Sequence, residues 1–462
     1  MECKYIFKKG HRKGQMCGER DCQLHNLTPS LPNSNKVVTV SVTIPQSENN
    51  PKKELEQLAE KKAEIEKSIK KRIVHEENIK QKILELDTSI ENKTNIMKQF
   101  LNIKKLDINT TEYYKNQLYI EQAMLIPWSK SYNIRGQVGI NHQCFQNFTL
   151  DNYMNDKILI KNFIENVKKE LDESIYGMEN VKNEIINYVC KFITNPHSQK
   201  NNIALYGSAG VCKTKFIKIL SNALNLPLKI ISLGGMKDSS YLLGHSQTYQ
   251  DSKCGIIIQS IIESKIINPI LYFDELDKVS HSEYGQDIYS VLSNLTDPTI
   301  NSCFKDRYFS NLSVDLSKVF YVFTFNDISK INKVLLDRLN VIYVPNPSKQ
   351  EKVIILKNYC LSDIKKNIGI PLHIEFDDEC FISIIDYTNK NVDARISSGI
   401  RESVRILEKI ILEINKEILL NFSENINDTI FINIDTFNNY FYKLKNQFVF
   451  IEENEAPYNM YT

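Results

Sequence analysis

One octapeptide, GSAGVCKT from Gly207 to Thr214, constrains this chain more than any other stretch. It follows the apolar run IALY (203–206) and opens KFIKILSNAL, which reads as a helix. A strand, a glycine-rich turn and a helix in that order build a cradle whose backbone N–H groups converge on phosphate oxygens at the helix N-terminus. The octapeptide fits G-x-x-x-x-G-K-[ST] except at its sixth residue, where Cys212 replaces glycine. Gly207, Ser208, Ala209, Gly210, Val211 and Cys212 are the expected lining of the phosphate site. Lys213 is expected to reach the β- and γ-phosphates of ATP, and Thr214 to help hold Mg2+. A thiol at a helix N-terminus beside Lys213 is expected to have a lowered pKa, which would make ATP binding sensitive to oxidation of Cys212. The other reading of Cys212 is a neutral replacement.

A second element matches the first. ILYFDEL (270–276) is an apolar strand ending in two carboxylates. Asp274 is expected beside the metal and Glu275 to polarise the attacking water. Three further polar residues fall in the order that a ring ATPase needs. Asn326 ends the strand VFYVFTF and would orient the water near the γ-phosphate. Arg338 in LLDRL would reach a neighbouring subunit's site as an arginine finger, and Arg401 in a predicted lid helix would touch the nucleotide from above. A finger supplied in trans is worth roughly 10³–10⁵ in rate, so a homo-oligomeric ring, most simply a hexamer, is expected.

Short apolar runs at 203–206, 228–231, 270–273 and 319–325 alternate with helical stretches, the rhythm of a parallel sheet buried on both faces. The 462 residues exceed one compact core. Residues 1–28 form a cysteine-rich segment and 29–50 a polar linker. Residues 51–105 carry apolar positions Leu58, Ile65, Ile69, Ile79, Ile83, Leu86, Ile90 and Met97 at gaps that mostly sum to sevens, which predicts a coiled-coil or helical arm. Residues 106–154 are a connector, 155–345 a large α/β domain, 346–445 a mainly helical lid and 446–462 a tail.

Charge and hydropathy restrict the partners. A net charge of +2 exerts no global pull on nucleic acid or membrane, and no apolar run approaches the roughly 20 residues of a membrane span. Ten cysteines scattered through such a chain predict free thiols in a reducing, cytoplasmic setting, the host cytoplasm if the chain is viral.

Taken together, these stretches resemble the AAA+ ATPase domain of Lon proteases over roughly residues 155–445. LDESIYGMENVKNEIINYV (171–189) is similar to that family's lead-in helix, in which a Tyr-Gly pair meets the adenine; here the pair is Tyr176-Gly177. SLGGMKDSSYLLGHSQTY (232–249), NPILYFDELDKVS (268–280), DRYFSNLSVDLSKVFYVFTFN (306–326), KVLLDRLNVI (333–342) and LIPWSK (125–130) also resemble Lon segments. YTNKNVDARISSGIRESVRILEKI (387–410) resembles the lid, with Arg401 at the second sensor arginine. The resemblance implies a P-loop AAA+ fold with a helical lid and ATP-driven unfolding or remodelling of protein partners. It implies a pore aromatic at Tyr249, although Gln250 replaces the family's aliphatic neighbour. Lon carries a Ser–Lys protease domain after the lid. The 446–462 tail is far shorter than such a domain, so no peptide hydrolysis is expected of this chain.

Cys3, Cys17, Cys22 and His25 lie as C-x13-C-x4-C-x2-H and are expected to close a tetrahedral Zn2+ site, with His11 as a competing ligand. The segment resembles short Cys/His modules on proteins of large DNA viruses. Lys8, Lys9, Arg12 and Lys13 would contact phosphates or an acidic partner, but no base-reading motif accompanies them, so nucleic acid stays open as a partner. A nucleotide-gated scaffold and a nucleic-acid-directed motor are the alternatives to a protein remodeller.

Overall fold

In the computed structural model the described residues are 77–140, 150–196, 198–249, 252–280, 282–370, 373–391, 399–420 and 429–444. They belong to one compact unit, His75–Thr462. The cysteine-rich segment, the linker and the first part of the expected arm lie outside them, as do Gln250 and the tail.

Five strands make the central sheet: β1 (Asn202–Tyr206), β2 (Leu228–Ser232), β3 (Ile270–Asp274), β4 (Phe320–Phe325) and β5 (Asn340–Tyr343). Their order is β2-β3-β4-β1-β5 and every pairing is parallel. The four apolar runs form β1 to β4, and the inner three are nearly continuous in apolar residues because both their faces are covered. Successive side chains go to opposite layers. Leu271, Phe273, Tyr321, Phe323 and Phe325 enter one core, and Ile270, Tyr272, Phe320 and Val322 the other. Phe273 and Phe323 stack at 5.1 Å on the first face. The edge strand β5 is four residues long and mostly exposed. NVIY has no apolar run to announce it, and only the structure shows it as a strand.

Helices cover both faces. The second core is closed by α5 (Leu150–Ser174), α6 (Glu179–Thr194) and α7 (Lys213–Leu224). The first is closed by α9 (Ile256–Ser264) and α10 (Glu283–Thr296), with the short α8 (Ser240–Leu243) nearby. The first core also takes in α1 (77–85), α2 (Ile90–Ile103) and α3 (Thr111–Leu125). Tyr119 on α3 lies 5.0 Å from Phe309, and the Asn92 amide exchanges two hydrogen bonds with the Ser313 backbone, at 2.8 and 3.0 Å.

The expected coiled-coil or helical arm over 51–105 is described only from residue 77, and there it docks on the α/β body. The helix breaks at 86–89, and Ser89 caps a new one by accepting from the Asn92 N–H. Of the expected seam, Ile83 is fully buried while Ile90 is 83% exposed; Ile96, Phe100 and Ile103 are buried instead. The apolar stripe packs on both the α/β body and the neighbouring α3, so it is not the seam of two helices alone.

Beyond the short α4 (Ile134–Val138) and α11 (Lys333–Leu336), the chain builds the C-terminal part around a third core. It comprises α12 (Lys349–Ile355), a π-turn (Leu356–Cys360), α13 (Leu361–Ile368), α14 (Asp378–Asn391), α15 (Arg401–Leu420) and α16 (Ile434–Leu444). Two short strands, β6 (His373–Phe376) and β7 (Thr429–Ile432), pair in parallel within it. The part is helical, as expected, with this small sheet added. No helix among the described residues is long and apolar enough to cross a membrane.

Candidate active site

The site forms where β1, β3 and β4 end side by side. After β1 the chain turns at Gly207, whose N–H donates to the Phe325 carbonyl at 3.3 Å. A Cβ at Gly207 would come within 2.5 Å of the Val344 carbonyl oxygen, so the turn admits glycine alone. Gly210 has φ +80° and Cys212 φ +62°; Cys212 occupies the cap position of α7 in a left-handed conformation that favours glycine. The departure from the motif is thus housed at a backbone cost of order 1 kcal/mol.

Lys213, the first residue of α7, folds its ammonium back over the loop. It donates to the carbonyls of Gly207 (2.5 Å) and Ser208 (3.0 Å) and to Asn326 Oδ1 (2.6 Å). Burial pushes its pKa down to about 8, against the opposing pull of Asp277 and Asp274; Arg401 adds to the lowering. Asp277 is buried and one of its carboxylate oxygens has no hydrogen-bond partner.

Thr214 and Asp274 are joined by hydroxyls that sequence reasoning missed. The Thr214 hydroxyl meets the Tyr272 hydroxyl at 3.2 Å, and Tyr272 meets Thr324 at 3.1 Å. Thr324 in turn donates to Asp274 Oδ1. Both residues sit inside apolar strands, where a phenol and a β-branched hydroxyl pass for core; burial raises the Tyr272 pKa to about 12, so it stays a neutral donor. Thr214 and Asp274 present hard oxygen donors, the kind that Mg2+ takes with substrate phosphates and water. The donor set fits the expected ion.

Glu275 follows with φ +59° and an exposed side chain, its N–H on Asp274 Oδ1 at 3.0 Å. Its carboxylate rests against Gly234, where any Cβ would overlap it. The glycine pair after β2 is the signal that this space was needed.

The C-terminal part meets the loop directly. The Ile400 N–H donates to the Gly210 carbonyl at 3.3 Å, and a Cβ on Gly210 would lie 3.1 Å from Arg401 Cβ. Tyr176 is half-buried against the third core, its ring 6.4 Å from that of Tyr359, and Gly177 has φ +63°. Lys213, Asn326, Thr214, Asp274, Glu275 and Arg401 are thereby gathered around one loop.

Arg338 makes its contacts elsewhere, at the end of α10: Nη1 donates to the Ser293 carbonyl at 2.5 Å and Nη2 lies 3.2 Å from Asp297 Oδ2. Tyr249 stands 65% exposed, and its carbonyl accepts from Lys115 Nζ at 2.8 Å. The Cys212 thiol departs from expectation. Burial pushes its pKa up, outweighing the lowering by Lys215. Six cysteines among the described residues are free. No cluster of three metal-binding side chains occurs among the described residues; Cys3, Cys17, Cys22 and His25 lie outside them.

Comparison with known proteins identifies the arrangement. Residues 203–346, from β1 to just past β5, match the family described as ATPase family associated with various cellular activities (AAA). The chain is 36% identical over 332 residues to the Lon protease homolog of Acanthamoeba polyphaga mimivirus, covering 71% of this chain and 30% of that protein. It is 32% identical over 346 residues to the Lon protease of Campylobacter jejuni, covering 72% and 40%. The aligned part thus spans only 30% and 40% of these two relatives' own length. The chain carries an AAA ATPase domain related to that of Lon proteases.

Proposed function

We propose that this chain binds and hydrolyses ATP as a ring, using the energy to remodel or unfold protein partners. The observation that supports the reading most is the convergence of Lys213 and Asn326 over the loop, with Asp274 and Glu275 closing the adjacent strand. ATP would lie with its phosphates along the N–H groups of Gly207–Thr214 and its adenine near Tyr176-Gly177. Mg2+, held by Thr214 and Asp274, would neutralise charge on the phosphates.

This chain's own residues supply the remainder. Lys213 carries its charge to the phosphates by exchanging carbonyl partners for phosphate oxygens. Glu275 accepts the proton of the attacking water, Asn326 orients that water, and Arg401 reports the nucleotide to the C-terminal part. Arg338 would act on a neighbour's nucleotide, which makes the ring part of the chemistry. Tyr249, exposed in the segment between α8 and α9, would grip a polypeptide. The free thiols accord with a reducing compartment.

The test pairs an ATPase assay with gel filtration on the full chain and its Glu275→Gln variant. The parent should hydrolyse ATP with specific activity that rises with protein concentration, and the variant should bind ATP without turnover. Absence of adenine-nucleotide binding at any magnesium concentration would overturn the reading. A Glu275→Gln variant that keeps every cellular function would assign the chain to a nucleotide-gated scaffold instead.

A further inference from the structure

We propose that Asp297 is a positioning residue for Arg338, holding the guanidinium at the orientation in which it enters a neighbouring subunit's nucleotide site. The inference rests on the ring reading above and adds a residue to which no motif points.

The geometry is a two-point clamp. The Ser293 carbonyl belongs to the last turn of α10, where carbonyls lack helical partners and the helix dipole is negative. It accepts from Arg338 Nη1 at 2.5 Å. Asp297 caps the same helix end, and its Oδ2 lies 3.2 Å from Nη2. The carboxylate is itself fixed: Oδ1 accepts from the Thr299 N–H at 2.9 Å and the Thr299 hydroxyl at 2.6 Å. These bonds hold Asp297 below the usual carboxylate range, with Arg338 a smaller contributor. Thr299 thus orients Asp297, and Asp297 orients Arg338.

What the clamp leaves over is the reason to assign it a role in turnover. A guanidinium has five N–H donors in a rigid plane. Among the described residues Arg338 spends one on Ser293 and faces Asp297 with another, which leaves three for an outside acceptor. The side chain is 32% exposed, so that acceptor has access. A half-exposed ion pair contributes little to stability, so a purely structural tie would gain little from a carboxylate braced by two further hydrogen bonds. Bracing matters where a misplacement of an ångström costs rate on the order of 10²-fold.

The experiment uses Asp297→Asn in the full chain. Asparagine keeps an Oδ1 acceptor for Thr299 and removes the charge facing Arg338, so the turn survives. The expected result is a kcat lower on the order of 10²-fold, with ATP affinity, elution volume and melting temperature at parent values. Mixing then separates roles. Glu275→Gln subunits cannot hydrolyse but carry an intact Arg338. Mixed rings of Asp297→Asn and Glu275→Gln subunits should recover hydrolysis, as mixtures of Arg338→Ala and Glu275→Gln should. An Asp297→Asn variant within twofold of the parent overturns the inference. So does a loss that mixing fails to restore while Arg338→Ala is rescued, because Asp297 would then act in its own subunit. A parent that is monomeric, with specific activity independent of concentration, removes the ring reading and this inference with it.

Discussion

The Lys213 ammonium donates to Asn326 Oδ1 at 2.6 Å, tying the phosphate loop to the tip of the central strand β4. The two residues are 113 positions apart in sequence. Both ends must be reset when a phosphate enters, since the ammonium can exchange its carbonyl and amide partners for phosphate oxygens. Asn326→Ala removes one end of that tie and the polar group proposed to orient water. Loss of one such preorganised group typically lowers kcat by about 10²–10³. ATP affinity should change little, because the Lys213 charge and the loop N–H groups remain. Pre-steady-state hydrolysis alongside nucleotide titration checks the split; a change confined to affinity would assign Asn326 to binding alone.

Tyr272 bridges Thr214 and Thr324 with one phenol, at 3.2 and 3.1 Å, and Thr324 continues the chain to Asp274. Tyr272→Phe keeps the ring in its buried slot and deletes the bridge. Each lost hydrogen bond is worth about 1 kcal/mol, so stability should fall by about 1–2 kcal/mol. With their bridge gone, Thr214 and Asp274 should hold the metal less well. The Mg2+ concentration for half-maximal ATPase should rise severalfold while kcat at saturating Mg2+ stays close to the parent's. An unchanged Mg2+ dependence would show that the hydroxyl chain is only packing.

Much of this site was legible because its chemistry needs fixed residue types at fixed places in a β-loop-α unit. Lys213, Thr214, Asp274 and Glu275 follow from the apolar strands that precede them. Other parts were hidden for physical reasons. Tyr272 and Thr324 look like core from the strand pattern, since periodicity reports burial and not what a buried hydroxyl touches. The docking of α1–α3 was not legible because a helix stripe does not name its partner, and Asn92 and Tyr119 find theirs some 200 residues downstream. The lowered pKa expected of the Cys212 thiol is reversed by burial, which sequence did not show while the helix N-terminus was visible; the neutral-replacement reading stands. β5 was missed since a short edge strand is not obliged to be apolar.

Asp306 carries a pH signature. It is 1% exposed, and its carboxylate accepts from the N–H groups of Gly255 and Tyr308 at 2.8 Å each, pinning the start of α9 to the turn at 306–308. Burial wins over these bonds and raises its pKa to about 6 from 3.8. A carboxyl with a raised folded pKa binds more protons in the folded state between those two values. Its contribution to stability therefore falls as pH rises from about 4 to 6 and is flat above. Asp306→Asn keeps one acceptor, turns an amide N–H toward Gly255, and should cost about 2–3 kcal/mol. Denaturant melts should show this penalty larger at pH 4.5 than at pH 7, by about 2 kcal/mol. A pH-independent difference would place the proton elsewhere.

Gly399 tests whether the C-terminal part reads the loop. A Cβ there would overlap the Ala209 carbonyl oxygen and lie 3.1 Å from the Ala209 carbonyl carbon. Both are backbone atoms of the phosphate loop, so no side chain can swing aside. Either the loop deforms or the start of α15 lifts, and the Ile400–Gly210 hydrogen bond at 3.3 Å is lost in both cases. Arg401, two residues on, would withdraw from the loop with it. Gly399→Ala should therefore weaken ATP binding by about tenfold or more, the 1.4 kcal/mol of one lost contact and its strain, with a smaller effect on kcat. Gly136→Ala is the control: a Cβ there meets nothing within 4 Å, and alanine suits the helix α4 in which it lies. Nucleotide titration by fluorescence reads both variants. Equal affinities for the two would mean that α15 rests on the loop without sensing what the loop holds.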